Sequence, residues 1–196
     1  LAARSVDKLM KLEREIAGST AIPTDMRKPE DVRGLIRKAR EKFGRVDLLV
    51  NNAGQGLRAS IEATDLDDYR AIMDLNVYSV LLAMQQVIPV MRKQGGGTIL
   101  NVSSILSKNY YPTFGAYAST KAALNALSLT ARQELAKDNI VVCVFHPKLT
   151  ATDFGKHALG ERISSAESAG MGADTSEAVA ARMIEQIRSG AAEANM

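Results

Sequence analysis

Val46-Asp47-Leu48-Leu49-Val50 runs directly into Asn51-Asn52-Ala53-Gly54. Four of the first five residues are apolar, and the run is too short to be a helix of ordinary length. It ends on Asn and Gly, the residues that tolerate turn backbone. The stretch therefore reads as a strand buried on both faces, with a polar turn at its carboxyl end. Thr98 to Val102 (TILNV) and Ile140 to Phe145 (IVVCVF) repeat the pattern, and Thr20 to Pro23 is a weaker, shorter version. Helical patterns lie between these runs. One goes from Ser5 as N-cap to about Ala17, stopped by Gly18. A second starts at Pro29 and ends at Phe43 before Gly44. Thr64 is the expected cap of a long stretch from about Asp65 to Lys93, and another helix covers roughly Thr113 to Lys137. A last helix runs from Thr175 to Ser189 and stops at Gly190. Continuous apolar strands alternating with helices predict an α/β fold, a doubly wound parallel sheet covered on both faces. All 196 residues read as a single domain.

Composition narrows the function. Hydrophobic residues make up 46% and charged residues 24%, and the net charge is +3 from 25 basic and 22 acidic residues. The charges are interspersed, with no basic stripe of the kind a nucleic acid or an anionic membrane needs. No apolar run reads as a membrane span and no secretory leader is recognisable, so the expected setting is cytoplasmic. A single cysteine, Cys143, excludes an internal disulfide and reads as inert core. His146 and His157 stand apart from any ligand cluster, so no metal is expected, and each reads as a structural histidine.

In a parallel sheet of this kind, ligands bind beyond the carboxyl ends of the strands. The residues there are Arg4-Ser5, Asp25, Asn51 to Gly54, Ser103-Ser104 and His146-Pro147. Nearby, Tyr117-Ala118-Ser119-Thr120-Lys121 places a phenol and an ammonium four positions apart, hence on one helical face. A close positive charge favours the phenolate and lowers the phenol's pKa, which would make Tyr117 a proton donor and acceptor near neutral pH. Alone, the pair reads first as a surface tyrosine beside a solvated lysine. Ser104 ends a strand thirteen positions before Tyr117, and Asn76 lies uncapped within the long helix, where an asparagine is mildly unfavourable.

Asn51-Asn52-Ala53-Gly54, Asn76, Ser104, Tyr117 and Lys121, in this order and spacing, resemble the classical short-chain dehydrogenase/reductase family, and the resemblance runs essentially the length of the chain. It implies a Rossmann-type fold and an oxidoreductase acting on a small carbonyl or alcohol. Tyr117 would be the general acid in reduction and the base in oxidation. Lys121 would lower its pKa and hold the nicotinamide ribose. Ser104 would stabilise the substrate oxygen, and Asn76 would hold a water that links Lys121 to bulk solvent. Asn51, Ala53 and Gly54 would line the adenosine ribose. Asp25 and Met26 would meet the adenine, and Pro147, Thr150 and Thr152 would hold the carboxamide. No acid stands at the LAARS strand end; Arg4, with Ser5 opening a helix, suits a ribose phosphate, so the expected cofactor is NADP(H).

The chain departs from the family pattern in four places. The glycine-rich turn with its strand and helix is not among these residues and is expected before Leu1. Lys148 stands where glycine is common, as does Ser107. No last strand is recognisable in SGAAEANM. By analogy the long helix and the Tyr117 helix would form the contact of a homodimer or homotetramer. The loop 154–174 would cover the substrate, with Tyr110, Tyr111, Phe114 and Phe154 as a partly apolar wall. A 3-oxoacyl reductase is the commonest outcome of such a pattern. A protein that binds NADP without turnover, as a regulator or scaffold, is the alternative from another class.

Overall fold

The computed structural model describes residues 1–161 and 172–196. Its main sheet is four parallel strands in the order β3 (Leu48–Asn51), β5 (Gly97–Val102), β6 (Ile140–His146) and β8 (Glu193–Asn195). Alternate residues of each strand face opposite sides. On one side Ile99, Ile140 and Val142 pack against Ile36 of α2 (Pro29–Phe43), against Met84, Val87 and Met91 of α4 (Ser79–Lys93), and against Leu135 of α5 (Gly115–Leu135). On the other side Leu100, Cys143 and Phe145 meet Val179, Met183 and Ile187 of α6 (Ser176–Ser189). Helices thus cover both faces, as the alternation predicts.

β1 (Ala2–Ala3) and β2 (Ile22–Pro23) pair with each other in a separate parallel ladder. Among the described residues no strand pairs with the other side of β3, and Leu48 and Val50, read as buried, are 42% and 40% exposed. Arg27, just after β2, donates to the Gln55 side chain at 2.6 Å. That bond brings the carboxyl end of the small ladder beside that of β3.

Helix ends follow the sequence closely. α1 spans Val6–Glu15, and Gly18 beyond it adopts positive φ. α2 has Pro29 in its first turn and ends at Gly44 in the left-handed region. Thr175 caps α6 by accepting from the Ala178 amide at 3.2 Å.

The long helix differs from expectation. Its cap is Asp65, whose carboxylate accepts from the Asp67 and Asp68 amides, while the Thr64 hydroxyl is held by Ser60 O. It is also not continuous: between α3 (Leu66–Met73) and α4 the residues Asp74–Tyr78 form a π turn. By length and composition Leu66–Lys93 would suffice to cross a bilayer, contrary to the sequence reading. Half of its apolar window is buried inside the fold, where Ile72, Val80, Ala83, Val87 and Met91 belong to the core.

Three short strands were missed. β8 supplies the last strand that SGAAEANM hid; it spans three residues, too few for a period to show. β4 (Leu57–Arg58) and β7 (Leu159–Gly160) pair in parallel and fasten the start of the 154–174 loop to the wall of the fold. Of that loop, 162–171 lie outside the described residues.

Candidate active site

The register of the sheet assembles the site. β3, β5 and β6 all end on one edge, so Asn52 to Gly54, Ser103-Ser104 and Pro147-Lys148 emerge together. α5 crosses beneath them. Its Lys121 Nζ donates to Val102 O at 2.9 Å, and Ser103 Oγ donates to Lys121 O at 3.3 Å. These bonds fix the first turns of α5 against the end of β5, and with them Tyr117. Ser104, Tyr117 and Lys121 line one cavity of about 850 Å³, together with Gly54, Pro147, Thr150 and Thr152.

Tyr117 is buried, with its ring edge-on to Phe154 at 6.0 Å between centroids. Burial pushes the phenol up to about 12, and the Ser104 hydroxyl acts against that rise. The sequence reading had Lys121 lowering this pKa. Instead the ammonium lies 5.9 Å from the ring centre, bonded to a backbone carbonyl. Lys121 is itself buried and pushed down to about 8. Desolvation dominates both groups. An ammonium has three N–H groups, and Val102 O takes one; among the described residues nothing else accepts from Nζ. Ser104 Oγ accepts from the Leu106 amide at 3.1 Å, so its own proton can go to the Tyr117 oxygen or to a ligand oxygen between them.

Asn76 explains the π turn. Its Oδ1 accepts from Gln55 N at 2.9 Å, and its Nδ2 donates to Gln55 O at 2.9 Å and to Thr120 Oγ1 at 3.1 Å. One fully buried amide thus ties the turn after β3 to α5. The extra residue of the π turn accompanies that inward placement; such turns gather at functional sites. Gly54 is pressed into the same corner: a Cβ there would stand 3.1 Å from Asn76 Oδ1 and 3.5 Å from Lys121 Nζ.

The remaining expected residues divide. Asn51 faces inward and does not line the cavity. It sits opposite Asn101 in register and donates to its side chain at 2.8 Å, and Asn101 in turn donates to Ser128. Its neighbour Asn52, not singled out, lines the cavity instead, whereas Ala53 is exposed. Alternation along β3 puts the two on opposite faces, and the register with Asn101 decides which one turns inward. Arg4 and Ser5 lie exposed at the end of β1, and Ser5 makes no side-chain cap bond, so the first amides of α1 are open. Asp25 accepts from the Arg27 amide at 3.1 Å; it and Met26 are half-buried beyond β2. Pro147 O accepts from Ile105 N, linking two of the strand-end loops. Thr150 Oγ1 donates to Lys148 O, and Thr152 Oγ1 accepts from Phe154 N. Lys148, Arg58 and Glu161 also line the cavity. His146 is fully buried and satisfied by Glu193 at 2.9 Å, as expected; His157 is exposed.

The free N–H groups of Lys121, the Ser104 hydroxyl and the close-approach glycine fit hydroxyl and carbonyl oxygens, which a nicotinamide nucleoside and a ketone supply between them.

Comparison with known proteins agrees. The short chain dehydrogenase family model matches residues 1–162. The chain is 34% identical over 161 residues to an uncharacterized oxidoreductase of Staphylococcus saprophyticus, a match covering 80% of this chain and 65% of that relative. Its fold superposes on a 7α-hydroxysteroid dehydrogenase complexed with NADH and 7-oxo glycochenodeoxycholic acid at a TM-score of 0.88 and 26% identity, over 100% of this chain and 81% of that one. A gluconate 5-dehydrogenase from Burkholderia cenocepacia, in complex with NADP and tartrate, matches at a TM-score of 0.74 and 28% identity, covering 80% and 63%. The chain belongs to the short-chain dehydrogenase family.

Proposed function

We propose that this chain is the catalytic part of an NADP(H)-dependent oxidoreductase that interconverts a carbonyl and an alcohol. The observation that carries the proposal is the convergence of Ser104, Tyr117 and Lys121 on one cavity. When bound, the nicotinamide supplies the hydride. Everything else is asked of the chain. Ser104 donates its proton to the substrate oxygen and stabilises charge developing there. The Tyr117 hydroxyl gives its proton to that oxygen in reduction and recovers one in oxidation. Lys121 offers its two free N–H groups to ribose hydroxyls and, close to the phenol, favours the phenolate once the site is filled. Asn76 holds the Gln55 turn and the Thr120 side of α5 in place, so that Lys121 and Gly54 keep their separation.

NADP(H) is favoured by Arg4 and the open first turn of α1, which together attract a phosphate. Solved relatives hold NADP in one case and NADH in another. Asp25, Met26, Pro147, Thr150 and Thr152 complete the cofactor contacts in this proposal, and a homodimer or homotetramer through α4 and α5 belongs to the same family analogy. The test is NADPH consumption over a panel of ketones, repeated with NADH and with Arg4→Glu. Turnover with NADPH, moved toward NADH by the substitution, supports the proposal. NADPH binding without turnover of any member supports the regulator alternative.

A further inference from the structure

The cavity is largely apolar, yet one side of it carries a guanidinium. Arg58 ends β4 and lines the same space as Tyr117 and Ser104. Three neighbours orient it. Its Nε donates to Thr113 Oγ1 at 3.2 Å, its Cζ lies 5.6 Å from the centre of the Phe114 ring, and Glu161 approaches Nε at 3.5 Å. Thr113 holds an unusual backbone, with φ of 67°, a region that a β-branched residue rarely enters. The Ala59 amide bonds its carbonyl at 2.9 Å, which ties this strained residue to the strand that carries Arg58. Strain of this sort persists where surrounding structure enforces it, and it gathers at ligand clamps.

The terminal nitrogens of this oriented guanidinium have no acceptor among the described residues; the contacts at hand use Nε and the face. A fork with both ends open matches a carboxylate in two parallel hydrogen bonds. Glu161 is a poor competitor, because its side chain is 66% exposed and approaches Nε at 3.5 Å, beyond a good hydrogen bond. Among the described residues it is also the single acid lining the cavity, against Arg58, Lys121 and Lys148.

We infer that Arg58 is a specificity-determining residue and that the substrate is an oxo acid or hydroxy acid whose carboxylate it binds. This rests on the proposed oxidoreductase activity and narrows its substrate class.

The experiment compares a series of oxo acids, from pyruvate through levulinate to longer homologues, each against its methyl ester. Turnover and calorimetric binding in the presence of NADPH are both measured. The best acid should outperform its ester, and Arg58→Met should lower kcat/KM for the acid by about 10- to 100-fold, mainly through KM, while leaving the ester nearly unchanged. Arg58→Lys should restore part of the loss. Glu161→Gln, which removes the competing carboxylate, should tighten acid binding, an outcome that misfolding cannot imitate. Acid-selective binding through Arg58 without turnover keeps the anchor and overturns the reductase proposal. Turnover that ignores the carboxylate, or an equal loss for acid and ester in Arg58→Met, overturns the anchor alone. If no acid binds, the anchor is wrong.

Discussion

Lys121 Nζ sits 5.9 Å from the centre of the Tyr117 ring and donates to Val102 O at 2.9 Å, so the ammonium lies beside the phenol without being bonded to its oxygen. Two buried groups with opposite shifts share one wall: the phenol is pushed up to about 12 and the ammonium down to about 8. The first to change charge as pH rises from neutrality is the lysine.

That order sets the pH dependence of reduction. The phenol stays protonated through the assay range, so kcat/KM should be flat near neutrality and fall above about pH 8 as Lys121 loses its proton. A pH–rate profile measured at saturating NADPH against one measured at limiting NADPH checks this. Filling the site should move the alkaline limb.

Stability carries the same signature. The folded pKa of Lys121 lies below its ordinary 10.5, so between about 8 and 10.5 the unfolded chain binds more protons and stability rises with pH. Tyr117 acts in the opposite sense between its ordinary 10 and about 12, where stability falls. Denaturant midpoints should therefore climb from pH 8 to 10, by on the order of 2 kcal/mol. Lys121→Met should abolish that climb.

Asn76→Ala leaves Gln55 N, Gln55 O and Thr120 Oγ1 without their shared partner. Stability should drop by about 2 kcal/mol. Asn76→Asp keeps the bond from Gln55 N but cannot donate, so its loss should be comparable and should ease at low pH, where the carboxyl regains a proton. Urea titrations at two pH values separate the variants.

Gly54→Ala drives a methyl to 3.1 Å from Asn76 Oδ1 and 3.5 Å from Lys121 Nζ. Cofactor affinity should weaken by roughly tenfold, equivalent to about 1.4 kcal/mol. The melting temperature should fall as well, because the methyl presses on the fully buried Asn76 amide. Calorimetry with NADPH and a thermal melt decide the point.

Much of this was legible in the residues. Gly44 and Gly190 ended their helices as glycines in the left-handed region should, and Ser104, Tyr117 and Lys121 line one cavity, the grouping that the family resemblance implied. What escaped had physical causes. β4, β7 and β8 are held by pairing rather than pattern, and two or three residues show no period. The inward turn of Asn51 follows from its register with Asn101, a partner fifty positions away. Thr64 lost the cap to Asp65 because its hydroxyl was already engaged by Ser60. The rise of the Tyr117 pKa depends on burial, which one turn of helix does not reveal.

The central claim is that Tyr117 moves the proton. The direct measurement is Tyr117→Phe, assayed for NADPH binding and for single-turnover reduction of the best ketone. The phenyl ring preserves the packing on Phe154. The account predicts cofactor affinity within about twofold of the parent and a rate lower by about 10²- to 10⁴-fold, the usual contribution of a general acid. Unchanged turnover with intact binding would contradict it and place the proton donor elsewhere in the cavity.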